Sequence, residues 1–189
     1  YTLSAASTGL TTGTSAAFAI AAGPATQLAF TVQPSTTVAG TAMSTAVKVT
    51  AQDALGNTDT SFASIITVAI TSGTGTVGAT LSGATTASPT KGVATFAGLS
   101  INKTGRTSQG TGYTLSSSSG VLTTAVSDPF DINVGLPATL AFTSQPALTA
   151  AGAGFAPLVE VSALDGLGNV VTTFTGTVTV AIGTNPTGA

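Results

Sequence analysis

The sequence predicts an all-β chain of tandem antiparallel β-sandwiches, and three observations carry that prediction. The stretch Ala46-Val-Lys-Val-Thr-Ala-Gln-Asp-Ala-Leu-Gly-Asn57 alternates apolar and polar residues and then breaks at an Asp-x-x-Gly-Asn turn, the pattern of a strand running into a tight reversal. The same stretch returns as Leu158-Val-Glu-Val-Ser-Ala-Leu-Asp-Gly-Leu-Gly-Asn169, 112 residues later. With that step Tyr1–Ile70 lies over Tyr113–Ile182 without a gap, about half of the positions being identical, and a repeat of this length is the signature of an array of like units. Third, the composition is rich in Thr, Val and Ile and contains 23 glycines, which favours strands and turns over helices.

The composition also excludes whole classes of function. Only 5% of the 189 residues are charged while 42% are hydrophobic, the reverse of a disordered chain. Four basic against six acidic residues give a net charge of −2, so no basic patch exists to neutralise phosphates and no nucleic-acid partner is expected. So little charge is a poor basis for solubility; hydroxyl-rich faces, sugars on Ser and Thr, or permanent packing against neighbours would each compensate. Cys and His are both absent, which removes disulfides, thiol catalysis and the commonest metal ligand and general base. No stretch reaches the roughly 18 uninterrupted apolar residues of a membrane helix; Ser15–Val32 comes nearest but is interrupted at Gly23-Pro24 and Thr26-Gln27.

Three segments are expected. Residues 1–22 match 113–134 and read as the closing hairpin of a preceding repeat, its strands Tyr1–Ser4 and Ala17–Ile20 separated by Gly9 and Gly13. The sequence begins mid-pattern and without a basic leader, so any export signal is expected to have been removed or to lie upstream. Residues 23–134 form a complete repeat, joined to its neighbours through the short Gly/Pro connectors Ala21–Pro24 and Asn133–Pro137, too short for a flexible tether. Within it Gln27–Gln33 alternates, with Leu28, Phe30 and Val32 on one face. Pro34 and Gly40 then turn the chain into Met43–Gln52, with Val47, Val49 and Ala51 inward. Ile66, Val68 and Ile70 alternate next, and Thr80–Ser82 is a short strand after the Gly-rich Ser72–Gly78 loop. In Gly92–Ile101 the alternation breaks, Phe96 falling out of phase with Val93, Leu99 and Ile101, which predicts a bulge or bend. A polar loop, Asn102–Gly112, precedes a strand opened by Tyr113 and Leu115 and a last one carrying Phe130 and Ile132. About seven short strands with turns at this spacing specify a Greek-key sandwich. Residues 135–189 repeat the opening strands and form the opening half of the next repeat.

The order Val47-x-Val49…Asp53-x-x-Gly56-Asn57, then Gly92-Val-Ala-Thr-Phe96, then Gly110-Thr-Gly-Tyr113-Thr-Leu115 resembles the bacterial Ig-like repeats of invasin- and intimin-type surface proteins. It looks closer still to the long Thr-rich tandem arrays of giant bacterial adhesins. The resemblance spans essentially the whole chain and implies Ig-like sandwiches without a disulfide. They would act as extracellular stalks, spacers or adhesive modules on a cell surface or fibre. The chain departs from antibody-type Ig domains in having no Cys pair and no Trp, and it carries no C-type lectin tip of the kind found on invasins.

Individual residues point to little chemistry. Asp53 and Asn57, with Asp59 nearby, are the candidate Ca²⁺ ligands, but calcium takes six to eight oxygens and usually several carboxylates. The matching turn Asp165, Gly168, Asn169 carries Val171 in place of Asp59, which favours the alternative: an Asp side chain bonding its own turn, with Gly56 and Asn57 in left-handed conformations. Tyr113 and its counterpart Tyr1 suit either a sugar-stacking platform or, better, a buried corner tyrosine bonded to nearby backbone. The matched pairs Phe18/Phe130, Phe30/Phe142 and Phe62/Phe174 are expected in the core. Asn102-Lys-Thr104 fits the glycosylation acceptor pattern. Serines lack a base at a catalytic spacing, so neither an active site nor a cofactor is expected.

The function expected is that of a structural module in an extracellular filament or giant surface adhesin, with neighbouring like domains as partners. The alternative is a discrete module recognising a glycan or a protein through its end loops, although those loops lack the Trp, Tyr and Arg that anchor specific interfaces. Both end segments are expected to lie inside sandwiches completed by further chain, since neither buries its apolar face alone. Either the 189 residues are a window of a longer tandem polypeptide, or the hairpin of one subunit docks into the half-domain of the next. The missing counterparts of Thr80–Ile101 favour the window.

Overall fold

The computed structural model describes residues 1–120 and 122–184. Its strands run β1 (Ser4–Ala5), β2 (Gly13–Thr14), β3 (Gln27–Val32), β4 (Thr37–Val38), β5 (Val47–Gln52), β6 (Ile66–Ile70), β7 (Leu81–Ser82) and β8 (Thr86–Ala87). They continue with β9 (Val93–Phe96), β10 (Ser100–Ile101), β11 (Leu115–Ser118), β12 (Ala125–Val126), β13 (Ile132–Asn133), β14 (Thr139–Ser144) and β15 (Glu160–Leu164). Among the described residues the one helical element is a 3-10 turn at Thr107–Gln109. The chain is therefore all-β, and its multi-stranded sheets are antiparallel.

Two sheets, β3-β5-β9 and β12-β11-β6-β8, share one core. Val47, Val49 and Ala51 of β5 are buried with Ala94 and Phe96 of β9, and they share that core with Ile66 and Val68 of β6 and Leu115 of β11. Lys48, between Val47 and Val49, is exposed. A strand buried on one face needs this two-residue period, because neighbouring side chains point to opposite faces. A register shift between Phe30 and Val32 lets β3 follow β5 past Lys48.

Several sequence expectations are corrected in detail. Where about seven strands were expected, the described residues of 23–134 carry β3 to β13, eleven strands, of which β4, β7, β8, β10, β12 and β13 have two residues each. Pairs this short leave little alternation to read. Gly92–Ile101 is two strands rather than one: Ala94 and Phe96 point inward in β9, the chain breaks at Gly98 (φ +69°), and Leu99 and Ile101 point inward again. The phase slip is thus a full interruption. The β4–β13 pair is parallel, an exception to the antiparallel expectation. Val178–Ile182, the copy of β6, forms no strand. β6 is held by β11 on one edge and β8 on the other, and Val178–Ile182 has no such neighbours among the described residues.

The repeat is preserved in the ladders themselves. β1 and β2 pair Ser4 with Thr14 and Ala5 with Gly13; β11 and β12 pair Ser116 with Val126 and Ser117 with Ala125. β3 and β5 pair Phe30 with Val49, and β14 and β15 pair Phe142 with Val161, with the same shift one step later. Each of these positions moves by the 112-residue step of the sequence. Even the aromatic pairs coincide: Tyr1–Phe18 and Tyr113–Phe130 both have ring centroids 6.0 Å apart, tilted by 34° and 32°.

Burial is where the copies differ. Tyr113, Leu115, Phe130 and Ile132 are buried, whereas Tyr1 is 76% exposed and Leu3, Phe18 and Ile20 are also exposed. Phe142 and Phe174 are exposed too, while their counterparts Phe30 and Phe62 pack on the core. The expectation that matched aromatics are core therefore holds only for residues 23–134, because only there do both sheets meet.

Candidate functional site

The site is built on the Asp-x-x-Gly-Asn turns. At the end of β5, Asp53 donates its backbone N–H to the Asn57 carbonyl (2.9 Å) and closes a tight loop. Gly56 (φ +84°) and Gly168 (φ +81°) supply the left-handed residue, which costs a glycine nothing sterically. Asn57 and Asn169 are not left-handed, which corrects the expectation for them; among the described residues the one non-glycine with positive φ is Lys91. Lys91 and Gly92 form the two-residue reversal into β9, with Thr90 and Val93 bonded in both directions, the pairing a primed hairpin turn requires.

The asparagines act through their side chains. Asp53 Oδ1 accepts the N–H groups of Leu55 and Asn57, both at 2.9 Å, and Oδ2 accepts Asn57 Nδ2 (3.1 Å) and the N–H of Gly23 (3.0 Å). Asp165 repeats this set with Leu167, Asn169 and Gly135. Each carboxylate thereby ties its turn to the connector that leads into its own repeat. These bonds favour the ionised form: that of the Asn57 side chain, with those of the Gly23, Asn57 and Leu55 backbones, brings the Asp53 pKa from 3.8 to about 2. For Asp165 burial is the largest influence and pushes upward, but the Asn169, Gly135 and Leu167 bonds outweigh it and leave the carboxyl below the usual range.

Asp59 serves a different contact. Its Oδ1 accepts the hydroxyl (2.6 Å) and N–H (2.9 Å) of Ser61, and its Oδ2 accepts the N–H of Ala25 (2.9 Å). The Ser61 hydroxyl is the largest influence in lowering its pKa. In the second copy Val171 takes the place and is buried. The carboxylates of Asp53 and Asp59 thus face N–H and O–H donors, which a cation would have to displace, and Asn57 is one of those donors through its Nδ2. Among the described residues no three acidic side chains gather as a metal site.

Tyr113 is fully buried, and its hydroxyl donates to the Lys103 carbonyl (2.9 Å) and accepts from the Thr76 N–H (3.3 Å). It occupies the corner position, its ring lying against Gly75 and Gly105, where no Cβ would fit. Tyr1, exposed, does not; its expected burial is corrected. Asn102 is half-buried and its side-chain oxygen accepts the Thr80 N–H (2.8 Å).

One role was invisible in the sequence. Asn169 reaches out of its own segment: its Nδ2 donates to the Asn102 carbonyl (3.0 Å) and its Oδ1 accepts the Thr104 N–H (3.2 Å). Leu167 lies over Gly40, where a Cβ would stand 2.7 Å from Leu167 Cδ1. The Asp165–Asn169 turn thus grips the chain at Gly40 and Asn102–Thr104, and a polar cleft of about 270 Å³ runs alongside between Thr104–Arg106 and Thr172–Thr173. The two turn sequences are too alike to reveal that, among the described residues, the second is covered and the first is not. Among the described residues no helix is long and apolar enough to cross a membrane. No protein-family model and no curated protein matches the chain.

Proposed function

We propose that the chain is a structural module of an extracellular filament or giant surface adhesin of bacterial type, its Ig-like Greek-key sandwiches stacked head to tail into a stiff stalk. The observation that carries this reading is the 112-residue repeat, reproduced in the ladder registers, the Tyr–Phe pairs and the Asp-capped turns of both copies. Like domains are the partners that suit the two apolar ends. Tyr1, Leu3, Phe18 and Ile20 lie open at one of them, and at the other an apolar cleft of about 410 Å³ is lined by Phe142, Phe155, Val159, Val180 and Ile182.

Stiffness follows from the joint. The connectors are a few residues long, and each is bonded to a buried aspartate through Gly23 or Gly135. The chain has neither His nor Cys, the commonest general base and the thiol nucleophile, which supports a mechanical role. Electron microscopy of the native material tests the reading: regular fibres or stalks are expected. Globular particles, together with selective binding of the chain on a glycan array, would replace the stalk with a discrete recognition module.

A further inference from the structure

We propose that the outward side of the first Asp-x-x-Gly-Asn turn, Leu55 with Asn57, is a docking face for the far end of another copy of the repeat. What it would grip is a backbone carbonyl and N–H two residues apart, beside a bare glycine. The proposal rests on the reading of the chain as a repeat array and specifies how its units interlock.

The chain shows the joint filled at its second turn and the matching turn uncovered at its first. In the filled state Leu167 covers Gly40, and Asn169 spans the Asn102 carbonyl and the Thr104 N–H. Asn169 is 7% exposed and Leu167 50%. A carboxamide has two N–H donors and an acceptor oxygen. One donor of Asn169 satisfies Asp165, leaving the second donor and the oxygen to bridge the neighbour.

The second state is the open plug. Asn57 is held by Asp53 through the same bond, at 3.1 Å against 3.0 Å for Asn169, so its carboxamide is fixed in the same setting. Among the described residues its oxygen accepts no bond, Asn57 is exposed, and Leu55 is 88% exposed. Of the socket, the glycine recurs in the third segment. Gly152, the counterpart of Gly40, has a similar positive φ (+81° against +74°), and a Cβ there would meet nothing within 4 Å.

Plug and socket lie on different surfaces of one unit, so the contact is heterologous and propagates head to tail. The Asp–Asn bond sets the plug before docking, which lowers the ordering cost of the contact. One repeated turn thus serves twice, closing its own loop and fixing the preceding unit.

Hydrogen exchange at the Thr104 amide tests this in two steps. In the full chain, Asn169→Ala is expected to speed Thr104 exchange roughly tenfold, the loss of about 1.4 kcal/mol of protection, while the Tyr113 amide, bonded to Phe130, is unchanged. The decisive protein is the full chain with residues 24–135 duplicated in frame, which places a second Leu55 and Asn57 where Leu167 and Asn169 now stand. Thr104 of the first copy should stay protected there and be freed roughly tenfold by Asn57→Ala in the second copy alone. Equal exchange with and without that substitution overturns the proposal. Small-angle scattering on the same duplicated chain separates this from the array reading: an elongated particle one unit longer keeps the array even if the plug fails, and a particle no longer than the parent removes both.

Discussion

The β5 register can be tested at two adjacent residues. Val49 is fully buried, paired with Phe30 on one side and Ala94 on the other, while Lys48 beside it is exposed. Replacing Val49 by Asp gives up about 1.5–3 kcal/mol of apolar burial. Desolvating the new carboxyl without a partner costs several kcal/mol more. The sum is comparable to the roughly 5–15 kcal/mol that holds a domain folded, so Val49→Asp is expected to leave the chain unfolded at room temperature. Lys48→Asp changes an exposed side chain and should cost no more than about 1 kcal/mol. Because the first variant gives no melt if it never folds, Val49→Ala supplies a measurable step of about 2 kcal/mol from two lost methyl-sized groups and the space they leave. Urea titration followed by circular dichroism reads all three. A lower midpoint for Lys48→Asp than for Val49→Ala would mean that the two faces are exchanged, since a slip of one residue reverses every side chain of a strand.

Other expectations concern the turns. The Asp53 pKa is depressed to about 2 from 3.8, so its contribution is complete above pH 3.8 and is lost as the pH falls from there through about 2. Denaturation midpoints of the wild type should therefore be level from pH 7 to 4 and drop below, with a smaller drop in Asp53→Asn; a flat profile down to pH 2 would show that the carboxylate bonds contribute nothing. EDTA should leave the thermal melt unchanged within error, because the Asp53 and Asp59 oxygens are occupied by N–H and O–H donors. A fall of several degrees on chelation would place a structural cation at these turns.

How much of this was legible depended on strand length and neighbours. β5 and β6 could be read residue by residue, since five or six residues alternating against one core leave an unambiguous period. The two-residue strands β4, β8 and β12 could not, because so few positions carry no period. The break in Gly92–Ile101 showed only as Phe96 out of phase, although Gly98 with its positive φ was a visible signal for interruption. The turn chemistry was half legible. The sequence pointed to Asp bonding its own loop, but placed Asn57 in a left-handed conformation instead of against the carboxylate. The bridge from Asn169 to Asn102 and Thr104 left no sequence trace, since it depends on which segment lies across the boundary. The same limit applies to Val178–Ile182, whose sequence is as strand-like as that of β6 but whose ladder neighbours are not among the described residues.

The two tyrosines give the sharpest contrast, because sequence and local geometry agree between them and only the surroundings differ. Both sit in the same hairpin register and lie 6.0 Å from the matched phenylalanine. The Tyr113 hydroxyl is buried between the Lys103 carbonyl and the Thr76 N–H, and both belong to loops folded over it. Tyr113→Phe keeps the ring and removes the bridge, leaving the half-buried Lys103 carbonyl and Thr76 N–H short of a partner. A loss of that kind costs about 1–3 kcal/mol, or on the order of 5–15 °C in Tm for a domain of this size. Tyr1 is largely exposed, so Tyr1→Phe should move Tm by no more than about 1–2 °C, the range of an ordinary surface change. If the two substitutions were equally costly, a hairpin would carry its stability within itself, and the core shared by two sheets would not be what holds the repeat. A large difference assigns the stability to the loops and facing sheet that only residues 23–134 bring together. An isolated closing hairpin then becomes a stable element only where further chain covers it.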